Sequence, residues 1–91
     1  MIDKITPLRQ RMLEDLRLRN YAPNTQKAYL WHVAKFAKHF GKSPSELDYE
    51  DIRVYLIHLR ETEKCSLSHM KQADGSLRFV YKYSLNRDWL K

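Results

Sequence analysis

The chain has little of what disulfide-bonded or β-rich small domains need. Its one cysteine, Cys65, excludes a disulfide within the chain, which is typical of a reducing cytoplasm. Only two glycines and three prolines occur among 91 residues, too few to punctuate a sandwich or barrel of many short strands. No apolar run approaches the ~20 residues that span a bilayer, and the Met1 end lacks a secretory signal. These absences predict a helical, cytoplasmic protein outside the membrane.

Acidic residues are absent from one long stretch of the chain. Between Leu16 and Ser45 there is no Asp or Glu, whereas the segment from Glu46 to Glu63 carries six of the 11 acidic residues. The acid-free stretch holds the basic residues Arg17, Arg19, Lys27, Lys35, Lys38 and Lys42. The net charge is +6, and together with this segregation of charge it indicates a polyanionic partner. Charge alone does not distinguish nucleic acid from an anionic membrane surface.

Apolar residues recur at three- to four-residue spacing in four segments, which predicts helices over about 7–19, 23–40, 49–61 and 67–85. A chain of this size closes one modest core, so residues 1–91 are predicted to be a single all-α domain, a small four-helix orthogonal bundle. The side chains predicted to face the core are Leu8, Met12, Leu13 and Leu16, then Tyr29, Val33, Phe36, Ala37 and Phe40, then Ile52, Tyr55, Leu56 and Leu59, and finally Met70, Ala73, Leu77, Val80, Tyr81 and Ser84.

Capping residues mark the predicted helix ends. Thr6 before Pro7 is typical of an N-cap followed by proline at the first helical position. Gly41 ends the second helix, because glycine tolerates the left-handed conformation found after a helix. The remaining signals are Asp48 and Asp51, spaced as in a capping box, and Ser66 and Ser68, which are rival caps for the fourth helix.

The outer sides of the second and fourth helices carry the candidate binding residues. Projection at ~100° per residue places Asn24, Lys27, Trp31, Lys35 and Lys38 opposite the second helix's apolar stripe. The lysines either neutralise phosphates or form a solvated face, and Asn24 either meets a phosphate at the helix start or caps the helix. Trp31 either packs on a sugar or another domain, or is buried against Arg and Lys stems.

The fourth helix is apolar around more than half its circumference. Phe79 and Tyr83 project toward its outer side, so this helix either is central or contacts something else. Lys71, Gln72 and Lys82 are predicted to point away from its stripe, and these three together with Arg78 are candidates to approach a major groove. Gln can pair with adenine and Arg or Lys with guanine in a major groove, although most such side chains contact the DNA backbone.

Several segments, which together span nearly the whole chain, carry a family resemblance. Leu18 to Thr25, with the order Leu-Arg-Asn-Tyr-Ala-Pro-Asn-Thr and then Ala28-Tyr29, is similar to the signature of the core-binding domain of phage-integrase-type tyrosine recombinases, where Ser-Pro-x-Thr begins a helix. Ala22 stands in place of the usual serine. The second-helix end and its connection (36–47), the third helix (51–59), the aromatic fourth helix (77–83) and the linker approach (86–89) also resemble the family. The start, Thr6 to Met12, looks most like integrases of transposons and insertion elements.

The resemblance implies a SAM-like, non-catalytic domain that grips duplex DNA during integration and recombination. Its implied partners are double-stranded DNA, a C-terminal catalytic domain of the same protein, absent from this chain, and other recombinase subunits in a bacterial cytoplasm. The fourth helix departs from the family pattern, since Ser68 to Lys71 replaces a Ser-x-x-Thr opening. The residues expected to contact DNA are Asn24, Thr25, Lys27, Lys35, Lys38, Ser68, Lys71, Gln72, Arg78 and Lys82.

No chemistry is expected of this chain itself. The family cleaves DNA with a tyrosine supported by arginines and histidine, but no His-x-x-Arg box exists here, so Tyr21, Tyr29 and Tyr81 are interpreted as packing residues. The four histidines lack zinc-site spacing, and no metal or cofactor is predicted. The alternative function is a helical protein-protein interaction module, suggested by the outward Phe79 and Tyr83 and by the acidic third helix. A helix-turn-helix regulator would need a short recognition helix after a tight turn, which no adjacent helix pair here clearly offers.

Overall fold

A computed structural model describes residues 7–87 and contains four α-helices and no strand within that range. The helices are α1 (Pro7–Leu18), α2 (Pro23–Phe40), α3 (Tyr49–Glu61) and α4 (Leu67–Phe79), with a 3₁₀ turn at Pro44–Glu46 and a π-helical turn at Val80–Ser84. The predicted all-α class is confirmed. The predicted cap Thr6 lies outside the described residues.

Three of the described helix boundaries have a clear local cause. Asn20 (φ 61°) ends α1 in the left-handed conformation, and the Tyr21 N–H then donates to the Leu16 carbonyl at 3.1 Å. Gly41 (φ 66°) ends α2 in the same way, as predicted from glycine's freedom at positive φ. Asp48 and Asp51 form the predicted capping box at the start of α3.

The start of α4 resolves a choice between two serines. Ser66 is the N-cap, and its hydroxyl accepts from the His69 N–H at 3.2 Å. Ser68 therefore lies in the first turn and is exposed. At its other end, α4 does not run on as an α-helix to residue 85: it changes after Phe79 into the π-helical turn, where the Leu85 N–H reaches the Val80 carbonyl at 2.8 Å.

The core lies between α4 and the other three helices. α4 packs on α2 and α3, and the π-helical turn packs on α1, so the last two elements are central. The fully buried side chains confirm one or more predicted positions in each helix, and the largest of them are Tyr55, Tyr81, Phe36, Met12 and Leu16. Leu30 and His32 on α2 are buried although the apolar stripe did not include them. No helix within residues 7–87 is long and apolar enough to cross a membrane.

Candidate nucleic-acid interface

The helices α2 and α4 lie side by side and run in opposite directions. The contacts between them pair His32 with Gln72 and Tyr29 with Gly75, and Tyr29 also meets Phe79, so residue numbers fall along α2 as they rise along α4. The outer sides of the two helices are therefore neighbours, and they carry most of the residues predicted to contact DNA. This surface is called the α2–α4 face below; it comprises Lys27, Trp31, Lys35, Lys38, Ser68, Lys71, Gln72 and Arg78.

The three α2 lysines of this face differ in their surroundings. Lys27 and Lys38 are exposed, and neither forms an ion pair with any residue in the described range. Lys35 is half-buried, and its Nζ donates to Glu63 Oε1 at 3.1 Å. Two of the lysines are thus available to a phosphate, whereas Lys35 already has a carboxylate partner.

Trp31 stands out of the α2–α4 face and is 51% exposed. Its ring meets His32 at 5.0 Å and His69 at 6.0 Å between ring centroids, in both cases edge to face. The Lys35 ammonium lies 5.2 Å from the indole centroid. One side of the indole is therefore packed on histidine rings and the rest faces solvent, and contact of Trp31 with a sugar or another domain stays a prediction.

His32 links the two helices beneath this surface. It is 2% exposed, and its Nε2 lies 3.1 Å from Gln72 Oε1. Because an amide oxygen only accepts, the imidazole donates from Nε2, and its buried Nδ1 is left without a partner among the described residues. Burial lowers the pKa of His32 below its usual value of 6.5, an effect that the Gln72 hydrogen bond opposes. Gln72 consequently presents its NH₂ group as a donor.

The start of α2 offers backbone donors. Its N-cap is Ala22, which has no side chain able to accept a hydrogen bond, and Pro23 follows as the first helical residue. Neither Asn24 nor Thr25 is therefore the N-cap, and both lie in the first turn, Asn24 exposed and Thr25 half-buried. Unfilled N–H groups at a helix start, together with the positive end of the helix dipole, are suited to an anion.

On α4, the predicted residues are exposed but not equally free. Lys71 has no ion-pair partner within residues 7–87, whereas the Arg78 Nε donates to both carboxylate oxygens of Asp74, at 3.1 and 3.0 Å. Lys82 lies in the π-helical turn, away from Lys71 along the helix, with its Nζ 5.3 Å from the Tyr83 ring centroid.

Among the residues predicted to contact DNA or to lie on the outer side of α2, the structure thus brings Trp31, Lys35 and Gln72 together around His32 and His69. It leaves Lys82 at the far end.

The prediction that Phe79 projects outward is wrong. Phe79 is 4% exposed, and its ring packs within 6 Å of the rings of Tyr21, Tyr29 and Tyr83. Tyr83 is half-buried in the same cluster, with the Arg19 guanidinium 3.7 Å from its ring centroid. The rings come from α1's end, α2 and the π-helical turn, so a projection of the fourth helix by itself could not include them. The exposed aromatic patch that suggested a protein-protein interaction module is absent from this part of the surface.

The tyrosines interpreted as packing residues are packed. Tyr81 is fully buried and its hydroxyl donates to the Pro44 carbonyl at 2.6 Å. Burial raises the pKa of Tyr29 and of Tyr81, which is the opposite of what a nucleophilic phenolate needs. Within residues 7–87, no three His, Cys, Asp or Glu side chains are grouped so that they could hold a metal ion.

Comparison with known proteins gives two matches. The family model described as phage integrase, N-terminal SAM-like domain, matches residues 8–91. A protein of Sinorhizobium fredii (strain NBRC 101917 / NGR234) named as an integrase/recombinase is 46% identical over 86 residues, which cover 94% of this chain. The chain spans only 28% of the length of that relative. No solved structure matches the chain.

Proposed function

The chain belongs to the phage-integrase N-terminal SAM-like domain family, and on that basis we propose that it grips duplex DNA during integration or recombination without taking part in the covalent chemistry. The nucleophilic tyrosine and its cationic supports lie, in this proposal, in a C-terminal catalytic domain of the same protein. That domain and other recombinase subunits are its protein partners, and it acts on DNA in a bacterial cytoplasm.

The observation that carries the proposal is a group of three exposed lysines on the α2–α4 face. Lys27, Lys38 and Lys71 are exposed on it without a carboxylate partner in the described range, and the unfilled start of α2 adds backbone donors. Each phosphate that a lysine neutralises releases counterions from the duplex, so binding depends steeply on salt. Asn24, Thr25, Lys35, Ser68, Gln72, Arg78 and Lys82 are the further contacts proposed.

Titration of a fluorescent duplex by anisotropy at two or more salt concentrations tests this. The triple variant Lys27→Gln, Lys38→Gln, Lys71→Gln is expected to bind more weakly, and its plot of log K against log salt to be shallower by up to about 3, close to one unit for each lost contact. The matched control is Arg53→Gln, Arg60→Gln, Lys64→Gln, which removes three exposed charges from α3 and its end.

The control separates a binding surface from net charge. We expect the α3 variant to keep most of the wild-type slope, because its side chains lie off the α2–α4 face. Equal losses in the two triple variants would mean that DNA responds to overall charge alone. Binding by the wild type that does not change with salt would contradict the proposal outright.

A further inference from the structure

A basic groove lies between α2 and the end of α3, and it shares Trp31, Lys35 and Lys38 with the α2–α4 face. It has a volume of about 500 Å³ and is lined by Trp31, Ala34, Lys35, Lys38, His39, Tyr55 and Glu63. His58 stands at its edge, with its ring centroid 4.6 Å from that of His39. Two lysines and two imidazoles thus converge here, and Glu63 is the one carboxylate among the lining residues.

Glu63 bridges two of these basic groups. Its Oε1 accepts from Lys35 Nζ at 3.1 Å, and its Oε2 lies 2.9 Å from His58 Nε2. The hydrogen bond from Lys35, followed by that from His58, lowers the pKa of Glu63. Two oxygens of one anion are therefore held by two separate donors, an arrangement that also suits two oxygens of a phosphate group.

The bridge is placed where another anion can replace it. Glu63 lies beyond the last residue of α3, in an exposed connection, and the pair it forms with Lys35 is about one-third exposed on each side. Solvent-exposed ion pairs contribute little net stability, so releasing this carboxylate costs the fold little.

An unsatisfied donor also lines the groove. The Tyr55 side chain is 1% exposed, and its buried hydroxyl has no hydrogen-bond partner within residues 7–87. Burial, and secondarily the charge of Glu63, raises the pKa of Tyr55 to about 12, so this hydroxyl keeps its proton. The groove therefore combines ammonium, imidazole and phenol donors around a single replaceable acceptor.

We propose that this groove is a phosphate site, occupied in the free protein by the Glu63 carboxylate and taken over by a backbone phosphate when DNA binds. This inference rests on the proposed function for the identity of the ligand, but the site itself is defined by its donors. The proposal adds His39 and His58 to the residues that contact DNA. Glu63 becomes an internal competitor that weakens DNA binding. It also makes binding selective for phosphates that can reach Lys35 and His58.

The test compares Glu63→Gln with Glu61→Gln in the 91-residue chain. Glu61 is exposed two residues earlier and forms no ion pair with a described residue, so both variants gain one unit of positive charge in the same region. Glu63→Gln is expected to bind duplex DNA roughly two- to fivefold more tightly than Glu61→Gln, because only the first removes the competitor. In a Lys35→Met background the difference between the two is expected to vanish.

A titration with inorganic phosphate tests the site without DNA. It is monitored through the NMR chemical shifts of the His58 ring and the Lys35 side chain. The Glu63→Gln variant is expected to saturate at a lower phosphate concentration than the wild type or Glu61→Gln. Adding His58→Gln is expected to reverse this gain in phosphate affinity. Equal phosphate and DNA affinities in the Glu63 and Glu61 variants would overturn the proposal. If phosphate distinguishes the two variants while no variant binds DNA, the site stands and the proposed function fails.

Discussion

At the scale of single residues, His32 is a buried polar side chain that links two helices. It is buried between α2 and α4, bonded on one nitrogen to Gln72 and unpartnered on the other within the described range. Its ring lies 4.9 Å from that of His69, and Lys35 is close enough to disfavour a second positive charge. Burial, His69 and Lys35 therefore disfavour the protonated imidazole, against the opposing effect of the Gln72 hydrogen bond.

This arrangement predicts a pH-dependent stability. Since the pKa of His32 is lower in the folded chain than its ordinary 6.5, the unfolded chain takes up the proton first. The contribution of the neutral His32 to the free energy of unfolding is complete above pH 6.5, and it is lost as the pH falls through the pKa that His32 has in the folded chain. Urea unfolding between pH 7.5 and 5.5 is expected to show a smaller decline in unfolding free energy for His32→Gln than for the wild type. A variant whose decline matches the wild type would show that His32 is not responsible.

At the scale of helices, the sequence predicted the four helices and some of their caps, but not the contacts between the helices. The Asp48–Asp51 box and the Gly41 end follow from rules that act within a few residues, so they could be predicted. The burial of Phe79 depends on Tyr21, more than 50 positions away in the chain, and on the π-helical turn that follows. The spacing of apolar residues within one helix does not indicate such distant contacts.

The same distinction applies to the candidate site. Lys27, Lys38 and Lys71 were predicted to be exposed because they lie opposite an apolar stripe, and they are exposed. Their role in DNA binding stays a prediction. The pairing of Lys35 with Glu63 joins residues 28 positions apart, and neither segment signals the other. His39 and His58 likewise meet only because α2 and α3 are neighbours in the fold.

Gly75 of α4 leaves room for the end of the Tyr29 side chain of α2. A Cβ added at this position would lie 3.2 Å from the Tyr29 hydroxyl oxygen, tighter than ordinary van der Waals contact. Glycine inside a helix costs about 1 kcal/mol relative to alanine, so a close approach is a reason for its presence.

This contact predicts a coupled effect of two substitutions. In a Tyr29→Phe background the hydroxyl is gone, so Gly75→Ala is expected to stabilise the chain by about 1 kcal/mol through helix propensity and a restricted unfolded state. In the presence of Tyr29 the gain is expected to be smaller, because the ring is held among Tyr21 and Phe79 and resists displacement. Thermal and urea unfolding of the four proteins measures the coupling. Identical effects of Gly75→Ala in both backgrounds would show that the contact has no energetic weight.

At the scale of the whole molecule, the end of the described chain is bonded to the connection between α2 and α3. The Arg87 guanidinium donates to the Leu47 carbonyl at 2.8 Å and to the Ser45 carbonyl at 2.6 Å. The Tyr81 hydroxyl donates to the carbonyl of Pro44 in the same connection. Two side chains thus satisfy three backbone acceptors about 40 positions away and tie the π-helical turn to the middle of the chain.

Arg87 should therefore contribute to stability through its position rather than its charge. Arg87→Ala leaves two carbonyls without their donor, one of them only partly accessible to water, and is expected to lower the free energy of unfolding by about 1–2 kcal/mol. The matched control is Arg78→Ala, which removes the same charge but breaks only an exposed i, i+4 pair with Asp74, worth about 0.3–0.5 kcal/mol. Urea denaturation at fixed salt compares the two. Should they destabilise equally, the bonds from Arg87 to the connection would carry no more weight than a surface ion pair, and the closure of the bundle would have to rest on Tyr81 and the apolar core.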